Sequence, residues 1–202
     1  MSELFSIQLQ NRQQQGRDGV WLDLPTTTEQ VQAALRQIGI SSDNPQGLFI
    51  SGYFAEEEKR FAISYNMVLA SNVDELNFLA SRLETLSTGE RAELNAALQA
   101  PQSELFSIGR ITDFPENVDY YVHLPDVHGP AQLGDYYLNR SGMVDMPEEW
   151  KGGIDTAQFG RYVAQQEQGA FTQYGYLVKS GDEWQKVHEG QPVPEEYRVL
   201  SF

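Results

Sequence analysis

The hexapeptide SELFSI occurs twice in the sequence, at residues 2–7 and again at residues 103–108. A second phrase follows each copy at a similar spacing, WLDLP at 21–25 and YVHLP at 121–125. Each pair of phrases is typical of a strand, a polar loop and a second strand that ends at Leu-Pro and leads into a helix. We therefore predict two related α+β units, separated by about 100 residues.

The pattern of the first unit is the clearer one. Alternating apolar residues predict antiparallel strands over 4–10 and 20–24, followed by an amphipathic helix. Apolar residues from Val31 to Ile38 follow the helical period, and Gly39 supplies a C-terminal stop. We expect this helix to pack one face on the sheet.

Two β-rich runs follow, at 48–54 and 61–65, and the residues between them are mostly charged. This pattern predicts a hairpin with an acidic tip. Three consecutive carboxylates form the tip: Glu56, Glu57 and Glu58.

The period of the apolar residues changes at Ser71 and predicts two short helices before Pro101. From these changes we predict three parts, an N-terminal α+β domain (1–70), a helical middle module (71–101) and a C-terminal α+β domain (102–202). The fold class is therefore α+β, with two small antiparallel-sheet units flanking a small helical module.

The last part is predicted to contain both strands and helices. The expected strands are 105–111, 120–124 and a closing hairpin formed by 171–179 and 184–188. A helix should begin near Pro130 and end near Gly142, a short one should follow Pro147, and Asp155 should cap another. The Pro-rich tail, 191–202, is expected to lie on the surface.

The composition excludes several kinds of chemistry. Among 202 residues there is no cysteine, so disulfides, thiolate nucleophiles and Cys-type zinc sites are excluded. Carboxylates number 29 against 14 Lys and Arg, for a net charge of -15. Such a chain is expected to repel nucleic acid, and we predict no direct binding to it. The absence of a basic, apolar leader and of long apolar runs predicts a cytoplasmic protein without a membrane partner.

No common catalytic motif occurs in the sequence. It contains no GxxxxGK[ST], GxGxxG, GxSxG or HExxH phrase. His123, Asp126 and His128 are spaced for neither one helix face nor adjacent strand positions, so we predict no metal site. Because no catalytic motif is present, we also predict no enzymatic activity. A hydrolase that uses His123 and Asp126 remains the alternative of a different class.

The excess of carboxylates extends along the whole chain, with 13 acids and 7 bases in residues 1–100 and 16 acids and 7 bases in residues 101–202. Helix positions three or four apart are about 5 to 6 Å from each other, which is comparable with the spacing of phosphates on DNA. Acidic helix faces can therefore imitate a phosphate backbone. An acidic surface that serves only solubility is the competing interpretation.

Three phrases carry a family resemblance: WLDLPTTTEQVQAALRQIGI, SNVDELNFLASRLETLSTGERAELNAAL and LGDYYLNRSGMVDMPEEWKGGIDTAQFGRYV. They resemble the N-terminal, middle and C-terminal antirestriction segments of the ArdA proteins. Members of that family are elongated, acidic DNA mimics, commonly carried on mobile genetic elements such as plasmids, transposons and phages. The resemblance implies a stoichiometric inhibitor that occupies the DNA-binding groove of type I restriction-modification enzymes, and it implies no cofactor.

The resemblance also implies site residues and an assembly. The acids that match the C-terminal segment, and would act as phosphate mimics, are Asp135, Asp145, Glu148, Glu149 and Asp155. To these we add Glu56, Glu57 and Glu58 on their charge alone. The family forms homodimers through its C-terminal domain, which predicts a homodimer here. A binding module against another basic partner, such as a CRISPR effector or a DNA-binding regulator, would use the same surface and is the nearest alternative.

Overall fold

A computed structural model describes residues 3–14, 18–101 and 103–200. Six strands form among these residues: β1 (Phe5–Asn11), β2 (Val20–Leu24), β3 (Leu48–Phe54), β4 (Tyr121–Leu124), β5 (Ala170–Thr172) and β6 (Gly175–Lys179). The α-helices in the same part of the chain are α1 (Thr28–Gln37), α2 (Tyr65–Leu69), α3 (Val73–Glu84), α4 (Thr88–Gln99), α5 (Ile108–Thr112), α6 (Pro130–Asp135), α7 (Glu148–Lys151) and α8 (Thr156–Glu167). The strands form two three-stranded antiparallel sheets, which confirms the predicted α+β class.

The chain groups into two compact units. Unit 1 contains Met1–Ser87, Leu105–Glu116 and Gln185–Phe202, and unit 2 contains Thr88–Glu104 and Asn117–Trp184. Helix α3 therefore belongs to unit 1 and α4 to unit 2. The three domain boundaries proposed from sequence stay a prediction. Among the described helices, none is long and apolar enough to cross a membrane.

Unit 1 is built on the sheet β2-β1-β3. The predicted strands 4–10 and 20–24 are confirmed as β1 and β2, which pair from Phe5 opposite Leu24 to Leu9 opposite Val20. The predicted helix is confirmed as α1. A capping box at Thr27 and Gln30 starts it, and Gly39 follows its end with a φ of +67°. Helix α1 contacts β2 and contributes Val31, Ala34 and Leu35 to the core.

The predicted hairpin of 48–54 with 61–65 is wrong. Strand β3 pairs instead with the second edge of β1, with Ser6 opposite Phe54. Residues 60–64 form no strand, although Phe61 and Ile63 are buried, and Tyr65 begins α2. Phe61 and Ile63 enter the core without strand pairing, because β1 already provides the hydrogen-bonding edge that β3 needs.

The two copies of SELFSI adopt different structures, so the predicted strand at 105–111 is wrong. In the first copy Phe5 and Ile7 lie on β1 and are buried. In the second copy Ser107 caps α5, and Phe106 is exposed. The hexapeptide does not determine its own structure, because the first copy has β2 and β3 on its two edges whereas the second pairs with no strand among the described residues.

Two carboxylates hold the C-terminal segments of unit 1. Asp113 is fully buried and accepts hydrogen bonds from the backbone N–H groups of Val187, His188 and Glu189. The carboxylate of Asp74 likewise accepts from the N–H groups at 199 and 200. Residues 184–188 thus form no strand, and the predicted closing hairpin with 171–179 is wrong.

Unit 2 is built on the sheet β4-β6-β5. The actual hairpin is β5 with β6, closed at Thr172 opposite Gly175, while β6 also pairs with β4. Val127, Leu133 and Tyr176 form the buried centre, to which α6 and α8 contribute. The predicted helix after Pro130 is confirmed, with one π-helical turn (Tyr136–Arg140) following α6.

Candidate functional site

The segment from Leu133 to Val163, here called the motif segment, is organised by a close crossing of α6 and α8. A Cβ atom added to Gly160 would overlap the carbonyl oxygen of Pro130, and one added to Gly134 would overlap the carbonyl oxygen of Thr156. Only glycine allows the two backbones to approach this closely. The sequence FGR at 159–161 therefore contains a packing residue, Gly160.

A network of two tyrosines and one carboxylate holds the end of α8. The hydroxyl of Tyr137 donates to Oε1 of Glu167 at 2.5 Å, and the hydroxyl of Tyr176 donates to Oε2 at 3.0 Å. Burial, together with the Glu167 carboxylate, raises the pKa of both tyrosine hydroxyls, so they stay protonated donors. The network ties α8 to the turn after α6 and to β6, and nothing in the sequence spacing pointed to it.

The acids between the two crossing helices are open to solvent. Asp145, Glu148 and Glu149 are all exposed, the last two on the short helix α7. Glu148 pairs with Lys151 at 3.0 Å. Asp145 and Glu149 make no hydrogen bond or ion pair within the described part of the chain. Their full charge is therefore available to a partner.

The other two predicted acids of the motif segment have contacts of their own. Asp155 caps α8 and accepts from the N–H groups of Ala157 at 2.9 Å and Gln158 at 3.0 Å. Asp135 accepts a hydrogen bond from Asn139 at 2.8 Å and pairs with Arg140 at 3.3 Å. Both carboxylates have structural uses, and the charge of Asp135 is partly compensated.

Glu56, Glu57 and Glu58 belong to unit 1, whereas the acids of the motif segment belong to unit 2. All three are exposed, and the last two lie on a single 3-10 turn. Glu56 pairs with Lys59 at 3.3 Å. Their proposed role as phosphate mimics stays a prediction.

His123 and Asp126 were the residues of the alternative hydrolase. The His123 Nε2 atom lies 2.7 Å from the carbonyl oxygen of Tyr174, a hydrogen bond that ties β4 to the β5–β6 turn. Between His123 and Asp126 the described residues show no hydrogen bond. The histidine thus has a structural role, because its Nε2 atom is engaged in this hydrogen bond.

One cluster with metal-ligand chemistry went unpredicted, because its members are distant in sequence. Ligand atoms of Asp113, Glu116 and His188 lie within 4.8 Å of one another. Asp113, however, already accepts hydrogen bonds from three backbone N–H groups, and Glu116 pairs with Arg82. These residues fit a backbone anchor and an ion pair better than a cation site.

A second unpredicted carboxylate is Glu93 on α4. Burial raises its pKa to about 8, with further contributions from the negative charges of Glu90 and Asp119. Its Oε1 atom is buried without a hydrogen-bond partner in the described part of the chain. A neutral Glu93 reduces the negative charge of unit 2 below the count that the sequence suggests.

Two comparisons with known proteins bear on the site. A family model described as antirestriction protein (ArdA) matches residues 15–178, which is most of the chain and includes the whole motif segment. Comparison with curated proteins gives no match.

Proposed function

Because this chain belongs to the ArdA antirestriction family, we propose that it inhibits type I restriction-modification enzymes by occupying their DNA-binding groove in place of DNA. The observation that carries the proposal is the placement of Asp145, Glu148 and Glu149. These three carboxylates are exposed on a segment of five residues that lies in the chain between α6 and α8, the two helices that cross closely. A fixed support for exposed negative charges is what imitation of a phosphate backbone requires.

The mechanism is electrostatic competition. Duplex DNA presents one negative charge per about 1.7 Å of its axis, and a protein that binds it does so chiefly with Lys and Arg. A protein of net charge -15 offers the same cationic groove an alternative set of anions. Inhibition requires only occupancy, so we propose a stoichiometric inhibitor that has no turnover and uses no cofactor.

The ion pairs within the site do not oppose this mechanism. Asp135 and Arg140 are each about half exposed, and the side chain of Glu148 is 80% exposed, although that of its partner Lys151 is only 19% exposed. Exposed ion pairs contribute about 0 to 1 kcal/mol. A basic groove can therefore replace the internal cation at little cost.

We further propose that the protein acts as a homodimer in the cytoplasm. Met143, Trp150 and Tyr162 are three large apolar or aromatic side chains of the motif segment. The structure leaves all three largely exposed. Large apolar side chains that stay uncovered near one segment support the interface. A cytoplasmic location and carriage on a mobile genetic element follow from the proposed target.

The test is competition for DNA by a purified type I methyltransferase. Increasing amounts of the protein are added to enzyme bound to a labelled duplex that carries its recognition site. We expect release of the duplex at a near-stoichiometric ratio, and weaker competition at higher salt. Unchanged DNA binding over a broad titration would refute this target and would leave another basic partner as the function to test.

A further inference from the structure

The sheet of unit 1 has one face covered by α1 and a second face that carries exposed aromatic side chains. Strand pairing places Gln8 between Trp21 and Gly52, and Ser6 between Asp23 and Phe54. Trp21 and Phe54 remain 50% and 54% exposed. We call Trp21, Asp23 and Phe54 the aromatic patch.

Gly52 shows how the indole of Trp21 lies. A Cβ atom added to Gly52 would come within 3.0 Å of Cη2 of Trp21, and it would also meet the Cβ of Gln8 at 3.1 Å. The indole therefore extends from β2 across β1 and reaches β3. Since half of its surface is exposed, the side of the ring that faces away from the strands is open to a partner.

Two carboxylates share a groove with Trp21. Asp23 lies on the same face two residues away on β2, and Glu3 lines a groove together with Trp21 and Asp23. Ser6 donates to Oδ1 of Asp23 at 2.6 Å, which fixes the side chain. Its Oδ2 atom accepts no hydrogen bond from the described residues.

The same face already holds a guanidinium of its own chain. Arg12 lies over the ring of Phe49, with its Cζ atom 5.3 Å from the ring centroid. Phe49 pairs with Gln10, which shares a face of β1 with Gln8. Stacking of arginine on an aromatic ring is therefore a contact that this face of the sheet supports.

We propose that the aromatic patch is a binding site for an arginine side chain on a basic segment of a partner protein. A guanidinium is flat enough to stack on the indole and can donate hydrogen bonds to the free oxygen of Asp23 at the same time. Lysine lacks this combination of a planar face and paired donors. Nucleic acid is disfavoured, because its phosphates would meet Asp23 and Glu3.

The proposal does not depend on DNA mimicry, since Asp145, Glu148 and Glu149 belong to unit 2. Its test uses short peptides in place of a restriction enzyme. Failure of either proposal therefore leaves the other intact.

The experiment titrates the ¹⁵N-labelled full-length protein with two peptides of equal charge, GRGRG and GKGKG. The backbone amides of Gly52 and Phe54 report binding in every variant, and the Trp21 indole reports it in the unmodified protein. We expect saturable shifts with the arginine peptide and about fivefold weaker binding of the lysine peptide. We expect Trp21→Leu and Asp23→Asn each to weaken the arginine peptide by about fivefold.

Phe106→Leu is the matched control, because Phe106 is an exposed aromatic side chain of unit 1 outside the patch, with Arg110 of its own chain already over its ring. It should leave arginine binding unchanged, and thermal melts should show that every variant folds. Equal binding of both peptides, with or without Trp21, would reduce the effect to net charge and overturn the proposal. Shifts of the same amides with oligothymidine, or with protein concentration alone, would assign the patch to nucleic acid or to a second copy and would also overturn it.

Discussion

Gly160 on α8 and Gly134 on α6 meet where the two helices cross, and a Cβ atom at Gly160 would lie 2.8 Å from the backbone nitrogen of Gly134. This contact fixes the two ends of the segment that carries Asp145, Glu148 and Glu149. The exposed acids are thus displayed from a junction that tolerates no side chain.

Gly160→Ala should destabilise the protein by about 1 to 3 kcal/mol, because the methyl group would force the helices apart. Thermal or denaturant unfolding measures the loss. Gly89→Ala on α4 is the control, since a Cβ atom there meets nothing within 4 Å. It should be neutral or stabilising by a few tenths of a kcal/mol to about 1 kcal/mol. Equal stability of both variants would contradict the packing role of Gly160.

Neutralising Asp145, Glu148 and Glu149 together, to Asn or Gln, should weaken inhibition in the DNA competition assay. The three charges should matter jointly, because each exposed contact contributes about 0 to 1 kcal/mol and single variants should be nearly silent. The control neutralises Glu183, Glu195 and Glu196, which are equally exposed. Both variants carry the same net charge. An equal loss of inhibition in the two would show that the position of the acids is irrelevant.

Variants of Asp155 distinguish a helix-capping role from a phosphate-mimic role. Asp155→Ala should cost about 1 kcal/mol of folding stability, because the first N–H groups of α8 lose their acceptor, whereas Asp155→Asn should retain most of it. If inhibition falls with Asp155→Ala and recovers with Asp155→Asn, its role is to start α8. If Asp155→Asn retains its stability but loses inhibition, the loss follows the charge and would place Asp155 among the phosphate mimics.

Glu93 should make stability depend on pH. Its pKa of about 8 in the folded protein lies above the ordinary value of 4.5, so the native state holds a proton that the unfolded state has lost between these values. Stability should therefore fall as the pH rises from about 4.5 to 8. Glu93→Gln should match the unmodified protein below pH 4.5 and exceed it by about 1 to 2 kcal/mol at pH 8, a reduced value because the side chain is half-buried. Denaturation curves of both proteins are measured over this pH range. If Glu93 were ionised in the native state, the difference in stability between the two proteins would not grow with pH, and the prediction would be wrong.

Trp150→Ala should favour the monomer if the exposed apolar side chains of the motif segment form a dimer interface. Light scattering at micromolar concentration should give twice the 22.8 kDa chain mass for the unmodified protein and a lower mass for the variant. Trp21→Ala, at an exposed tryptophan of unit 1, is the control and should remain a dimer. A mass near that of one chain for the unmodified protein would refute the homodimer.

Local patterns in the sequence were sufficient where a segment's own residues determine its structure. Strands β1 and β2, helix α1 with its stop at Gly39, and the Asp155 cap all follow from periodicity and capping chemistry. The acidity of the chain and the phrases that identify its family are likewise properties of the sequence alone.

Tertiary structure decided what local patterns leave open. Identical SELFSI copies became β1 and the start of α5, because only the first has strand partners on both edges. Strand β3 pairs with β1, and Asp113 is anchored to the backbone of residues 187–189, over separations that no local pattern encodes. The availability of a carboxylate was decided in the same way. Asp145 and Asp113 are equivalent as letters, but one is open to solvent and the other is buried, because hydrogen-bond partners and burial are set by the packed neighbours of a residue.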